Sequence, residues 1–188
     1  MANRLRTHVS LIGFMGCGKS TVGPILARTL GVAFADTDTL VERMAQKTIA
    51  DIFSDEGESA FRSLETKALT AALKQPAHII ATGGGIVEKV RNRQLLFENT
   101  LSIWLHVPIE RLLERLAHDT DRPLLQNDSQ FKRTRALYNQ RKPLYEQAHI
   151  KINADASPRC IVQGILEAIE QPGMQKRVNG VEAWTQQK

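Results

Sequence analysis

Aromatic residues make up only 5% of this chain, and no apolar run approaches the ~20 residues that a membrane-spanning helix needs. With few aromatics and no basic run, the sequence has little with which to stack bases or follow a nucleic-acid backbone. The formal charge of +5 and the isoelectric point near 9.4 do not restore that reading. Arg4 and Arg6 carry +2, and Lys176, Arg177 and Lys188 less Glu182 carry another +2, which leaves +1 for residues 8–172. Cysteine is nearly absent: Cys17 and Cys160 lie far apart in no metal or disulfide spacing, which suits a reducing compartment. The five histidines show no H-x₃-H ligand spacing, so none is assigned a metal. Met1 to Thr7 lacks the apolar core of a secretory signal. These absences predict a soluble, cytoplasmic protein, expected to act as a monomer, with no membrane or nucleic-acid partner.

Short hydrophobic runs do recur, at His8–Ile12, Val32–Ala35, His78–Ala81, Leu101–Val107 and Ile150–Ile152. Between them the apolar spacing is helical. Val22, Ile25, Leu26 and Leu30 form one stripe, and Phe61, Leu64, Ala68 and Ala71 form another. Strands alternating with helices predict an α/β domain, a parallel sheet covered by helices on both faces. The 188 residues suit one domain over residues 1–172, followed by a polar tail, 173–188, expected to be poorly ordered.

The most informative stretch is His8 to Thr21. Gly13, Gly18, Lys19 and Ser20 fill the pattern G-x-x-x-x-G-K-[ST], in which backbone N–H groups wrap a phosphate chain, lysine neutralises its far end and the hydroxyl ligates Mg²⁺. The apolar run before it and the helical stripe after it supply the strand and helix this loop requires, with the helix N-terminus facing the anion. Cys17, inside the loop, is expected to be alkylated readily and shielded by nucleotide. Pro24 lies within the following helix and removes one N–H, which predicts a kink.

In a parallel sheet, ligands collect beyond the carboxyl ends of the strands. Asp36-Thr-Asp38 follows the second run: one acid suits a metal and the other a substrate hydroxyl, while Thr37 or Asp38 could equally serve as a helix cap. Gly83-Gly-Gly85 follows the third run and permits either a left-handed turn or a ligand lying on backbone N–H groups. Arg62 sits beside the apolar stripe of a helix over 58–73 and could pair with Glu58 or Glu65. Arg141 and Lys142 are expected to end a helix before Pro143. Residues 118–128 read as a loop over the sheet edge, a lid in which Arg122 is a candidate to stabilise transferring phosphoryl charge.

Taken together, these positions resemble the shikimate kinase family, of the nucleoside-monophosphate-kinase branch. The resemblance rests on Gly-Phe-Met-Gly-Cys-Gly-Lys-Ser at 13–20, Asp36-Thr-Asp38, Phe61-Arg62, Thr82-Gly-Gly-Gly85, Arg122-Pro-Leu-Leu125 and Arg141 before Pro-Leu-Tyr145, and runs from about His8 to Gln171. It implies a three-layer α/β/α fold with a five-stranded parallel sheet of order 2-3-1-4-5, substrate-binding helices over about 37–73 and a lid over about 116–130. It implies an enzyme that uses ATP and Mg²⁺ to phosphorylate the 3-hydroxyl of shikimate. By that likeness, Gly16, Cys17, Gly18, Lys19, Ser20 and Thr21 would hold the ATP phosphates, with Arg115 against adenine. Ser20 and Asp36 would hold Mg²⁺. Asp38 would accept hydrogen bonds from substrate hydroxyls and act as general base. Arg62 and Arg141 would clamp the substrate carboxylate together with Gly83, Gly84 and Gly85, and Arg122 would close over the reacting phosphate with the lid. Pro24 stands where the family usually carries a basic residue.

Another small-molecule kinase, such as a gluconate kinase, would share the phosphate loop but not need Arg62, the triple glycine and Arg141. An ATPase acting on protein or nucleic acid would end the third strand in an Asp–Glu pair, and here that strand ends in Ala81-Thr-Gly. No Asn-Lys-x-Asp guanine motif occurs.

Overall fold

A computed structural model describes Leu5 and residues 7–117 and 128–170. Arg122, residues 118–127 of the expected lid and the tail from residue 171 lie outside them. The described chain alternates strands and helices: β1 (His8–Ile12), α1 (Lys19–Leu30), β2 (Phe34–Asp36), α2 (Thr37–Ala45), α3 (Ile49–Asp55), α4 (Gly57–Leu73), β3 (Ile79–Ala81), a 3₁₀ turn (Ile86–Glu88), α5 (Val90–Asn99), β4 (Thr100–His106), α6 (Ile109–Ala117), α7 (Asp128–Tyr145), β5 (Ile150–Asn153) and α8 (Pro158–Glu170).

The five strands are parallel in the order β2-β3-β1-β4-β5. Every residue of β1 is buried, as a central parallel strand covered on both faces must be. Its neighbours β3 and β4 are buried almost throughout. The main core joins these strands to α1, α5, α6 and α8 through Leu11, Leu26, Leu96, Trp104, Leu112 and Ile165. Val41, Ile52, Phe61 and Ala68 form a second, smaller core that holds α2, α3 and α4 together. These three helices fill the stretch expected to bind substrate. No helix among the described residues is long and apolar enough to cross a membrane.

Two local expectations are corrected. β2 begins at Phe34 rather than Val32, because Val32 N–H bonds back to Ala27 O and closes the end of α1 at Gly31 (φ +69°). α7 does not end before Pro143 but continues to Tyr145. Proline there falls within the last turn, and Glu146 N–H still bonds Lys142 O. Arg141 is therefore not a solvated cation at a helix end; its side chain is only 8% exposed. α1 remains one helix through Pro24.

Candidate active site

Strand register brings the chemistry together. Asp36 pairs with Ala81, and Ala81 with Leu11, so β2, β3 and β1 leave the sheet at one level. Beyond them lie the Asp-Thr-Asp segment, the triple glycine and the phosphate loop.

The loop needs its glycines for their backbone: Gly13, Gly16 and Gly18 have φ of +145°, +77° and +95°. Lys19 folds back over it. Its Nζ donates to Gly13 O at 2.8 Å and Phe14 O at 3.1 Å, and lies 3.5 Å from Cys17 Sγ. The lysine is 8% exposed and Cys17 is 1% exposed, so the expected ready alkylation of Cys17 does not fit this conformation. Ser20 Oγ donates to Asp36 Oδ2 at 2.8 Å. A hydroxyl and a carboxylate side by side at the end of a phosphate loop are the oxygen donors that a hard divalent cation takes. Arg115, at the edge of the loop, donates to Gly16 O at 3.3 Å and pairs with Asp155 at 3.0 Å.

Asp36 caps α2: its side chain accepts from Asp38 N–H, a role the sequence had left to Thr37 or Asp38. Thr37 instead faces inward, where its buried hydroxyl accepts from Gly83 N–H at 3.0 Å. This bond ties the start of α2 to the triple glycine.

None of Gly83, Gly84 and Gly85 has a positive φ, which rules out the left-handed turn. Close approach is what requires them. A Cβ on Gly83 would stand 2.6 Å from Asp38 Oδ1 and 2.9 Å from Glu65 Oε1, and one on Gly84 would stand 3.3 Å from Met15 N, in the phosphate loop. One on Gly85 would collide with the guanidinium of Arg62. The three glycines thus face, in turn, two carboxylates, the phosphate loop and an arginine.

Arg62 does pair with Glu58 (3.0 Å) and Glu65 (3.3 Å), and it also reaches Glu88 (3.0 Å). Arg141, entering from α7, meets the same residue: Nε lies 3.1 Å from Glu88 Oε1 and Nη2 lies 3.2 Å from Oε2. Two guanidiniums from distant helices thus converge on one carboxylate beside Gly85. Burial pulls the Arg62 pKa down, but Glu65, Glu58 and Glu88 outweigh it and hold the pKa above its ordinary value. Burial drives Glu65 the other way. Despite Arg62, and with Asp38 adding to the effect, its pKa is pushed up to about 7.

Sequence reasoning missed four residues here. Glu65 appeared only as a surface partner for Arg62, yet its side chain is 1% exposed. Glu88 belongs to no motif. Phe53, 40% exposed, packs with its ring centroid 4.7 Å from that of Phe61, whose ring lies under Arg62 at 5.3 Å, making an apolar wall beside that arginine. Tyr145 is fully buried on α7 and donates its hydroxyl to Gly84 O. Of the four, Tyr145 had a motif signal, standing in the Pro-Leu-Tyr145 stretch after Arg141. Arg122 is the one expected site residue outside the described residues.

A family model described as shikimate kinase matches residues 15–170. A shikimate kinase from Microcystis aeruginosa is 47% identical over 170 residues, covering 89% of this chain and 89% of that one. A solved shikimate kinase from Acinetobacter baumannii, in complex with shikimate, superposes with a TM-score of 0.82 at 38% identity, covering 89% of this chain and 94% of that one. A gluconokinase from Sinorhizobium meliloti covers 97% of this chain and 99% of its own, but at 15% identity and a TM-score of 0.61 it shares the fold alone. With the phosphate loop, the paired arginines and the triple glycine brought together beyond one end of the sheet, and with likeness running nearly the full length of the described chain, this protein belongs to the shikimate kinase family.

Proposed function

We propose that this chain transfers the γ-phosphoryl group of ATP to the 3-hydroxyl of shikimate. The observation that carries the reading is the convergence of Arg62 and Arg141 on a single carboxylate, one glycine away from the residue that packs against the phosphate loop. Such a pair answers to a ligand carboxylate, and the loop on its other side answers to a phosphate chain.

In this reading the loop from Gly16 to Thr21 and Lys19 bind the β- and γ-phosphates, with Lys19 exchanging its bonds to Gly13 O and Phe14 O for phosphate oxygens. Ser20 and Asp36 hold Mg²⁺, which supplies charge neutralisation when bound. Arg62, Arg141 and the backbone of Gly83 to Gly85 orient shikimate through its carboxylate. Asp38 accepts the proton of the attacking hydroxyl as the new P–O bond forms and the bond to the β-phosphate oxygen breaks, releasing ADP. Arg122, from the chain beyond α6, stabilises the charge on the transferring group. Arg115 lies against the adenine end.

A coupled ADP-release assay with ATP and Mg²⁺ across shikimate, gluconate and nucleoside monophosphates tests this. Turnover of shikimate alone is expected. Turnover of gluconate or a nucleotide with none of shikimate would overturn the reading.

A further inference from the structure

Glu88 has no part in the reaction as proposed, yet it occupies the centre of the arginine pair. Its main chain is anchored: Glu88 N–H bonds Gly85 O at 3.0 Å, and Arg93 Nη1 on α5 donates to Val87 O at 2.7 Å and Glu88 O at 3.1 Å. Ile86 and Val87 are fully buried beside it. The Glu88 side chain, by contrast, is 26% exposed and can turn toward solvent while its backbone stays in place. Among the described residues Glu88 is the carboxylate that bonds Arg141, whose side chain is 8% exposed. A buried guanidinium without a partner is costly, so some carboxylate must serve it when the site is empty. Glu58 and Glu65 already stand against Arg62, so a ligand carboxylate added to the pair beside Glu88 would crowd a further negative charge against three others and be repelled.

We infer that Glu88 is a stand-in carboxylate: it holds Arg62 and Arg141 aligned in the empty site, and the carboxylate of the incoming substrate displaces it. This rests on the assignment of the arginine pair to shikimate. Shikimate then gains only the difference between its own bonds to the arginines and those it breaks. An uncharged analogue cannot make the exchange, so Glu88 lowers the affinity for a carboxylate ligand while leaving that for an uncharged analogue nearly unchanged.

The test is calorimetric titration of the nucleotide-free protein with shikimate and with methyl shikimate, for the wild type, Glu88→Gln and Glu88→Ala, with Tm recorded for each. Loss of the competing charge is expected to lower the Kd for shikimate by about 3- to 30-fold in Glu88→Gln, the range set by exchanging a charge-assisted bond for a neutral one. The Kd for the ester should move less than twofold. Glu88→Ala should follow the same direction, and Glu88→Gln carries the result if the alanine variant does not fold. Unchanged or weaker shikimate binding in Glu88→Gln, with wild-type binding intact, would overturn the inference while leaving the function standing. A wild-type protein that binds no shikimate would bring down both.

Discussion

Alanine at position 85 would set a methyl group against the guanidinium of Arg62. Gly85→Ala is therefore expected to displace that arginine and raise the KM for shikimate at least tenfold, while the KM for ATP stays within about twofold; steady-state kinetics in both substrates measure the split. Glu65 couples the fold to pH. Its pKa, about 7 in the fold, lies above its ordinary 4.5, so the folded protein keeps a proton that the unfolded chain has already lost. The stability this group contributes is fully present below pH 4.5 and is lost as pH rises through about 7. Glu65→Gln keeps the shape without the charge, so its Tm should exceed that of the wild type above pH 7. The gain should be at most about 3 kcal/mol and should fade toward pH 5, as thermal melts across that range will measure. Lys19 was legible as a candidate because the phosphate-loop pattern is demanding, whereas Asp38 and Arg62, weak signals on their own, became candidates through the family resemblance. Glu65 and Glu88 were not, because their roles come from burial and from partners that the sequence does not place beside them.

Between elements, the bond from Gly83 N–H to Thr37 Oγ1 joins α2 to the loop after β3. Thr37→Val preserves the volume but leaves a buried N–H unsatisfied, a cost of about 1–3 kcal/mol. At roughly 2–4 °C per kcal/mol for a chain of this size, Tm should fall by about 2–12 °C, measured by differential scanning calorimetry. Periodicity located the strands well, since β1 matches its expected bounds and the other strands lie within two residues of theirs. It failed where one tertiary contact outweighs a local rule. α7 passes through Pro143 because proline so near a helix end removes little, and that continuation carries Tyr145 into the core against Trp104, 6.1 Å between ring centroids. Likewise the three glycines allowed a left-handed turn or a ligand cradle; their φ values exclude the turn, and they are also the points where α2, α4 and the phosphate loop approach one loop.

At the scale of the whole molecule, the sheet order puts β1 between β3 and β4, so the phosphate loop leaves from the centre of the sheet and the triple glycine from the adjacent strand. That adjacency separates two half-sites by one residue, Gly84, whose neighbours reach Asp38 and Glu65 on one side and Arg62 on the other. Strand alternation and loop chemistry made the parallel sheet and its chemistry-bearing strand ends legible, and the family resemblance supplied the strand order, whereas the meeting of α4 and α7 over Glu88 depended on how helices far apart in the chain pack. On the proposed function, the two half-sites bind separate ligands: phosphate at the loop, carboxylate at the arginines. Equilibrium titration of Arg62→Ala with shikimate and, separately, with ATP and Mg²⁺ tests it most directly. Each lost charge-assisted bond is worth about 1.5–3 kcal/mol, so shikimate should bind roughly 10- to 150-fold more weakly while ATP affinity stays within about twofold. Shikimate affinity equal to that of the wild type, or a parallel loss of ATP affinity, would contradict it.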